Sequence, residues 1–92
     1  MTTIHGESLL TISAEAGETY EIDYKADHTV CILNHTDDVL GVSDKPSYAD
    51  DGTSANCVKI AANAFFNNLT IHGRYLYITP NAEGSITLVR AA

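Results

Sequence analysis

The residues of this chain that could do chemistry are few and spread out. Four histidines, His5, His28, His35 and His72, are scattered along its length. None falls in an H-x-H or HExxH pair. A cupin-type metal site needs two closely spaced histidines on one strand with a carboxylate beside them. They read instead as turn or edge histidines. "HTDD", His35 to Asp38, sets an imidazole beside two carboxylates, which could serve general acid–base work. It is also the composition of a turn, because Asp and Thr side chains bond their own backbone there. "SDKPSYADDGTSANC", Ser43 to Cys57, offers Asp44, Ser47, Asp50 and Asp51 as oxygen donors. Calcium takes about six oxygens at alternating positions, closed by a bidentate Glu. Here the spacing is wrong and the Glu is missing. Cys31 and Cys57 are too far apart for a zinc pair or a CxxC motif, and read as reduced thiols packed as small apolar groups. No nucleophile elbow, supported Ser/His/Asp order or glycine-rich phosphate loop occurs. The formal sequons Asn34-His35-Thr36 and Asn68-Leu69-Thr70 read as coincidence. The expectation is a protein without catalytic residues, metal or cofactor.

The elements that must position these residues are strands. Alternation of period two dominates. "SLLTIS" (8–13), "TYEIDYK" (19–25), "TVCILN" (29–34), "VLGVS" (39–43), "CVKIA" (57–61), "LTIHG" (69–73), "YLYIT" (75–79) and "SITLVR" (85–90) read as strands rich in β-branched and aromatic residues. Turn clusters lie between them: "AEAGE", "KADH", "HTDD", "NAFFNN", "PNAEG". No segment has helical length and period. The pattern predicts one all-β domain of about eight short, mostly antiparallel strands, in a sandwich or a jelly-roll-like barrel. It also predicts two halves, 8–43 and 57–90, joined by the loop 44–56 and related by an internal pseudo-two-fold. "VCILNHTDDVLGV" matches "LYITPNAEGSITL" without a gap, so Val30, Ile32, Leu40 and Val42 coincide with Leu76, Ile78, Ile86 and Leu88. Each half then reads as a strand pair followed by a hairpin pair.

One face of these strands supplies a core: Leu10, Ile12, Tyr20, Ile22, Tyr24, Val30, Ile32, Leu40, Val42, Val58, Ile60, Leu69, Ile71, Leu76, Ile78, Ile86 and Leu88. A second apolar set, Cys31, Leu33, Val39, Tyr75, Tyr77 and Val89, falls on the opposite face. Strands apolar on both faces are covered on both faces. The cover is either another subunit or turn segments folded over the sheet. Under the first reading Leu33, Val39, Tyr75, Tyr77 and Val89 form an oligomer interface. The pair Tyr75 and Tyr77 also suits a sugar-stacking platform.

Charge narrows the partners. The net charge is −7, and Lys25, Lys45, Lys59, Arg74 and Arg90 stand singly. That argues against nucleic acid and anionic membrane, which need clustered cations. "MTTIHGESLL" has no basic or apolar signal region, so synthesis in a cytosol is expected.

The run from "TVCILNHTDDVLGVSDKP" through "CVKIAANAFFNNL" to "RYLYITPNAEGSITLV" resembles small all-β virion accessory proteins of tailed phages and prophages, of the head-decoration or head-fibre type. The likeness covers about residues 28–90. It implies a virion protein made in the bacterial cytoplasm, without catalytic residues. Such a protein associates with itself, commonly as a trimer, and binds the major capsid protein on the outside of the shell. Two other readings stand beside it. One is a carbohydrate- or receptor-binding module using the loop residues Asp44, Tyr48, Asp50 and Asp51, or the Tyr75/Tyr77 pair. The other is a small cupin-like metal enzyme. The loop itself reads as a connection, with docking or display added to it.

Overall fold

The computed structural model describes the whole chain, Met1–Ala92. Nine strands form: β1 Thr2–His5, β2 Leu9–Ala14, β3 Tyr20–Asp23, β4 His28–Asn34, β5 Leu40–Ser43, β6 Val58–Ile60, β7 Phe65–Ile71, β8 Tyr75–Pro80 and β9 Gly84–Arg90. A single helical turn, α1 Pro46–Ala49, interrupts the segment between β5 and β6. One sheet has the order β1-β3-β8-β5-β6 and the other β2-β9-β4-β7. All pairings are antiparallel except β1 with β3.

Alternation explains which side chains meet. Along β4 every second residue is buried, with Val30 and Ile32 inward and Thr29, Cys31 and Leu33 outward. The inward residues of both sheets join in one cluster that includes Ile12, Ile22, Ile32, Leu40, Leu76, Ile78, Ile86 and Leu88. Every residue expected on the core face lies in that cluster or, like Leu10, Val58 and Leu69, packs against it. The molecule is therefore a two-sheet sandwich. Neither sheet closes on itself, so the barrel alternative is set aside.

Three expectations are corrected. The strand β1 replaces an unassigned N-terminus, because "TTIH" finds a parallel partner in β3 that its own weak alternation does not announce. Strand β7 begins at Phe65 rather than Leu69. A register shift between Val30 and Ile32 of β4 and left-handed backbone at Asn63 and Asn68 accommodate its asparagines within and before the strand. The third correction is larger. None of the short turns closes a hairpin. β2, β4, β7 and β9 lie in one sheet and β3, β5, β6 and β8 in the other. So each short turn carries the chain from one sheet over to the other, and only the long segment 44–57 joins two strands of the same sheet. Turn residues have the same composition whether the chain doubles back beside itself or arches across a core.

The halves nevertheless correspond. Exchanging β2 with β6, β3 with β7, β4 with β8 and β5 with β9 turns β3-β8-β5-β6 into β7-β4-β9-β2, which is the second sheet read from its other edge. The register follows at matching pairs. Val42 opposite Ile78 in one sheet matches Leu88 opposite Ile32 in the other. Leu40 opposite Ile60 likewise matches Ile86 opposite Ile12.

Candidate functional site

Two outer faces result, and they differ in chemistry. On the five-stranded sheet the outward rows are polar and charged. His5, Asp23 and Tyr75 form one row, and Thr3, Glu21, Tyr77 and Ser43 a second. Asp23 accepts two bonds from Arg74, from Nε and Nη2, each 2.8 Å long. This fork, with a backbone bond from Lys25, holds the Asp23 carboxyl down at about 2. The Tyr77 hydroxyl donates to Glu21 Oε2 over 2.9 Å, and burial together with that carboxylate lifts the phenol to about 12. The Tyr75 and Tyr77 rings lie 6.1 Å apart, and the Arg74 guanidinium sits 5.2 Å from the Tyr75 ring centre. Tyr77 is only 9% exposed, so it is packed rather than presented. Tyr75 is half-buried.

The segment 44–57 folds back over this same face. Pro46 starts the turn α1, where its fixed φ and missing N–H do no harm. Ala49, 3% exposed, is pressed onto Gly41 of β5. A Cβ at Gly41 would run into the Ala49 carbonyl oxygen. Ser43 Oγ ties the far end by donating to the Asn56 carbonyl over 2.8 Å. Thr53 donates to the Asp51 carboxylate through both its N–H and its hydroxyl, which lowers the Asp51 acid below its usual range. Between segment and sheet remains a small cleft, open to solvent. Its polar lining is Asp50, Lys59, Thr79 and Asn81, with Cys57 beside them. Asp44, Asp50 and Asp51 are exposed and Tyr48 is half-buried. No group of three His, Cys, Asp or Glu side chains converges as a metal set.

The four-stranded sheet presents the other face. Pairing across β2, β9 and β4 lines up Leu9, Val89 and Cys31 in one row. Thr11, Thr87, Leu33 and Phe65 form the next. Ser13 and Ser85 pair beyond them, and Thr29 with Thr70 on the other side. No Asp, Glu, Lys or Arg is among these outward residues. Leu9 and Phe65 are each 65% exposed and Val89 39%.

The five residues read as one interface therefore separate. Leu33 and Val89 face outward from the four-stranded sheet, while Tyr75, Tyr77 and Val39 belong to the opposite side of the sandwich. Cys31 and Cys57 are free thiols divided in the same way. Leu9 and Phe65 were absent from the expected set. The doublets "LL" and "FF" carry the signal, because alternation must turn one residue of each pair outward.

No family model matches the chain, and neither a curated protein nor a solved structure matches it.

Proposed function

We propose that the chain is a non-enzymatic structural protein of a tailed-phage virion, of head-decoration or head-fibre type. In this reading it self-associates and docks on the capsid exterior through the major capsid protein, after synthesis in the bacterial cytoplasm. The observation that supports association is the uncharged outer face of the four-stranded sheet, with Leu9, Phe65 and Val89 open to solvent. Core positions of association surfaces are depleted in charge and enriched in large apolar groups. The phage setting comes from the resemblance, as does the trimer as its oligomeric state. The net charge of −7 suits a place outside the shell, away from packaged DNA. The matching strand orders of 8–43 and 57–90 belong to the same reading, as a pseudo-two-fold pair of halves.

The test is to express a tagged chain in a lysogen, induce the prophage, and band the particles by density. The chain should copurify with washed heads at a fixed ratio to the major capsid protein. Its absence from washed particles removes the virion reading.

A second reading, a carbohydrate- or receptor-binding module, is favoured by the cleft under segment 44–57. Asp50, Lys59, Thr79 and Asn81 offer donors and acceptors to a small polyol there. Amide NMR shifts confined to Gly41, Lys59 and Asn81 on adding monosaccharides would support it. Unmoved resonances at millimolar sugar would remove it.

A further inference from the structure

The uncharged face invites the question of what covers it. We infer that it is a homotypic interface, covered by a second copy of this chain packed sheet against sheet. The inference rests on the self-associating part of the function proposed above and names its surface.

Charge is the first argument. A chain of net charge −7 repels its own copy wherever carboxylates meet. The outer face of the five-stranded sheet carries Glu21 and Asp23 beside Lys59 and Arg74, charges that a contact there would have to strip of water. The face built on β2, β9, β4 and β7 carries no charge, so two copies approach through it without setting like charges together. A different partner would need an equally flat, uncharged surface, and this chain already supplies one of that chemistry.

The polar groups of the face are the second argument. Thr11 and Thr87 share a hydroxyl bond of 3.2 Å, and Thr29 and Thr70 one of 2.9 Å. Cys31 Sγ donates to Asn68 Oδ1 at 3.8 Å. These groups bond one another within the sheet, so removing water strands few of them. Leu9, Val89, Leu33 and Phe65 then supply the apolar gain.

Geometry favours the face over the β7 edge. The edge strand β7 is broken by the register shift opposite Val30 and Ile32 and by left-handed Asn68, a device that hinders edge-to-edge pairing. Sheet faces stack at about 10 Å whatever their edges do. Four strands of six or seven residues give a footprint of roughly 400 Å² per copy, from strand spacing and rise. Two such footprints fall below the roughly 1,200–2,000 Å² of a standard interface. The association should therefore be weak and concentration-dependent.

The test uses the full chain carrying Cys57→Ser, which leaves Cys31 as its only thiol. Sedimentation velocity and the rate of maleimide labelling are followed from about 1 to about 500 µM, the range of weak complexes. The expected result is a rise in mass with concentration and a several-fold slowing of Cys31 labelling. Val89→Glu with Phe65→Glu should keep the chain monomeric and its labelling fast. Leu9→Glu, on the edge strand, is an independent second variant. Ala62→Glu places the same charge in an exposed turn and should behave like the parent. Melting curves check that each variant is folded. A parent chain that is monomeric throughout overturns self-association and the face together. An oligomer whose mass survives both face variants overturns the face alone.

Discussion

Asn34 sits closed inside a sandwich whose other inward side chains are mostly apolar. The two hydrogens of its amide nitrogen are shared among the carbonyls of Asp38, Ile60 and Ala61, at 2.9, 3.1 and 3.1 Å. Its oxygen accepts from the Thr36 N–H and hydroxyl at 3.0 and 2.7 Å. Asn34 ends a strand of one sheet and Ile60 ends a strand of the other, so this side chain ties the two layers. Asn34→Ala leaves several buried groups unpaired at once. It should cost about 3 kcal/mol, visible as a lower urea midpoint at unchanged slope. A loss below about 0.5 kcal/mol, the level of ordinary surface changes, would contradict the clamp. "HTDD" was legible as a turn, but the span of the preceding Asn34 across the layers was not. The available signal was phase, since Asn34 falls in step with the inward Val30 and Ile32. His28 is the second residue whose role hides in its phase. Its ring is buried against Tyr24, centroids 4.4 Å apart, with Nδ1 bonded to the Ala26 carbonyl and Nε2 unpaired. Burial lowers its affinity for a proton, only partly offset by the Ala26 carbonyl. Above about 6.5, the ordinary histidine value, His28 is neutral folded or unfolded and its contribution is intact. As pH falls from there through the lowered folded value, the unfolded chain gains the proton first and stability is lost. Urea midpoints at pH 8 and pH 5 should differ more for the parent than for His28→Phe. Equal differences would show that His28 is not the titrating group.

At the level of elements, the connection 44–57 is the segment whose role changed most. In the sequence it reads as a connection between the halves, with docking or display added. Instead Ala49 and Gly41 make it part of the five-stranded sheet's cover. The long segment, rather than one of the short turns, folds over β5 at that side. Gly41 was the legible clue, because a glycine inside a strand marks a close backbone approach. What covers it was not legible, since that depends on where the loop lands. Gly41→Ala must push the Ala49 carbonyl away. The expected cost is about 1–3 kcal/mol, as for other forced fits in packed sites. Hydrogen exchange should show faster exchange of the α1 amides in that variant, beginning with Ala49 and Asp50, which bond Lys45 and Pro46. Unchanged protection and an unchanged melting temperature would mean that the segment does not depend on that contact.

For the whole molecule, inward and outward faces were legible because alternation depends on neighbours in sequence. Pairing was not, because it depends on strands far apart. Apart from β1 with β3, every pairing joins a strand of the first half to one of the second: β2 with β9, β9 with β4, β4 with β7, β3 with β8, β8 with β5 and β5 with β6. The halves repeat each other in strand order, yet neither contains its own sheet. Cleaving the chain after the exposed Asp51 therefore separates two pieces with almost no native pairing inside either. A short β-chain without a paired neighbour cannot bury enough apolar surface to hold its conformation. Each fragment alone should give a coil-like circular dichroism spectrum. Mixed in equal amounts they should recover the strand signal, with a midpoint that rises with concentration because the closure is now bimolecular. A fragment 52–92 that folds alone would show that the halves are independent units. The intact chain would then owe its cooperativity to something other than the interleaving of its strands.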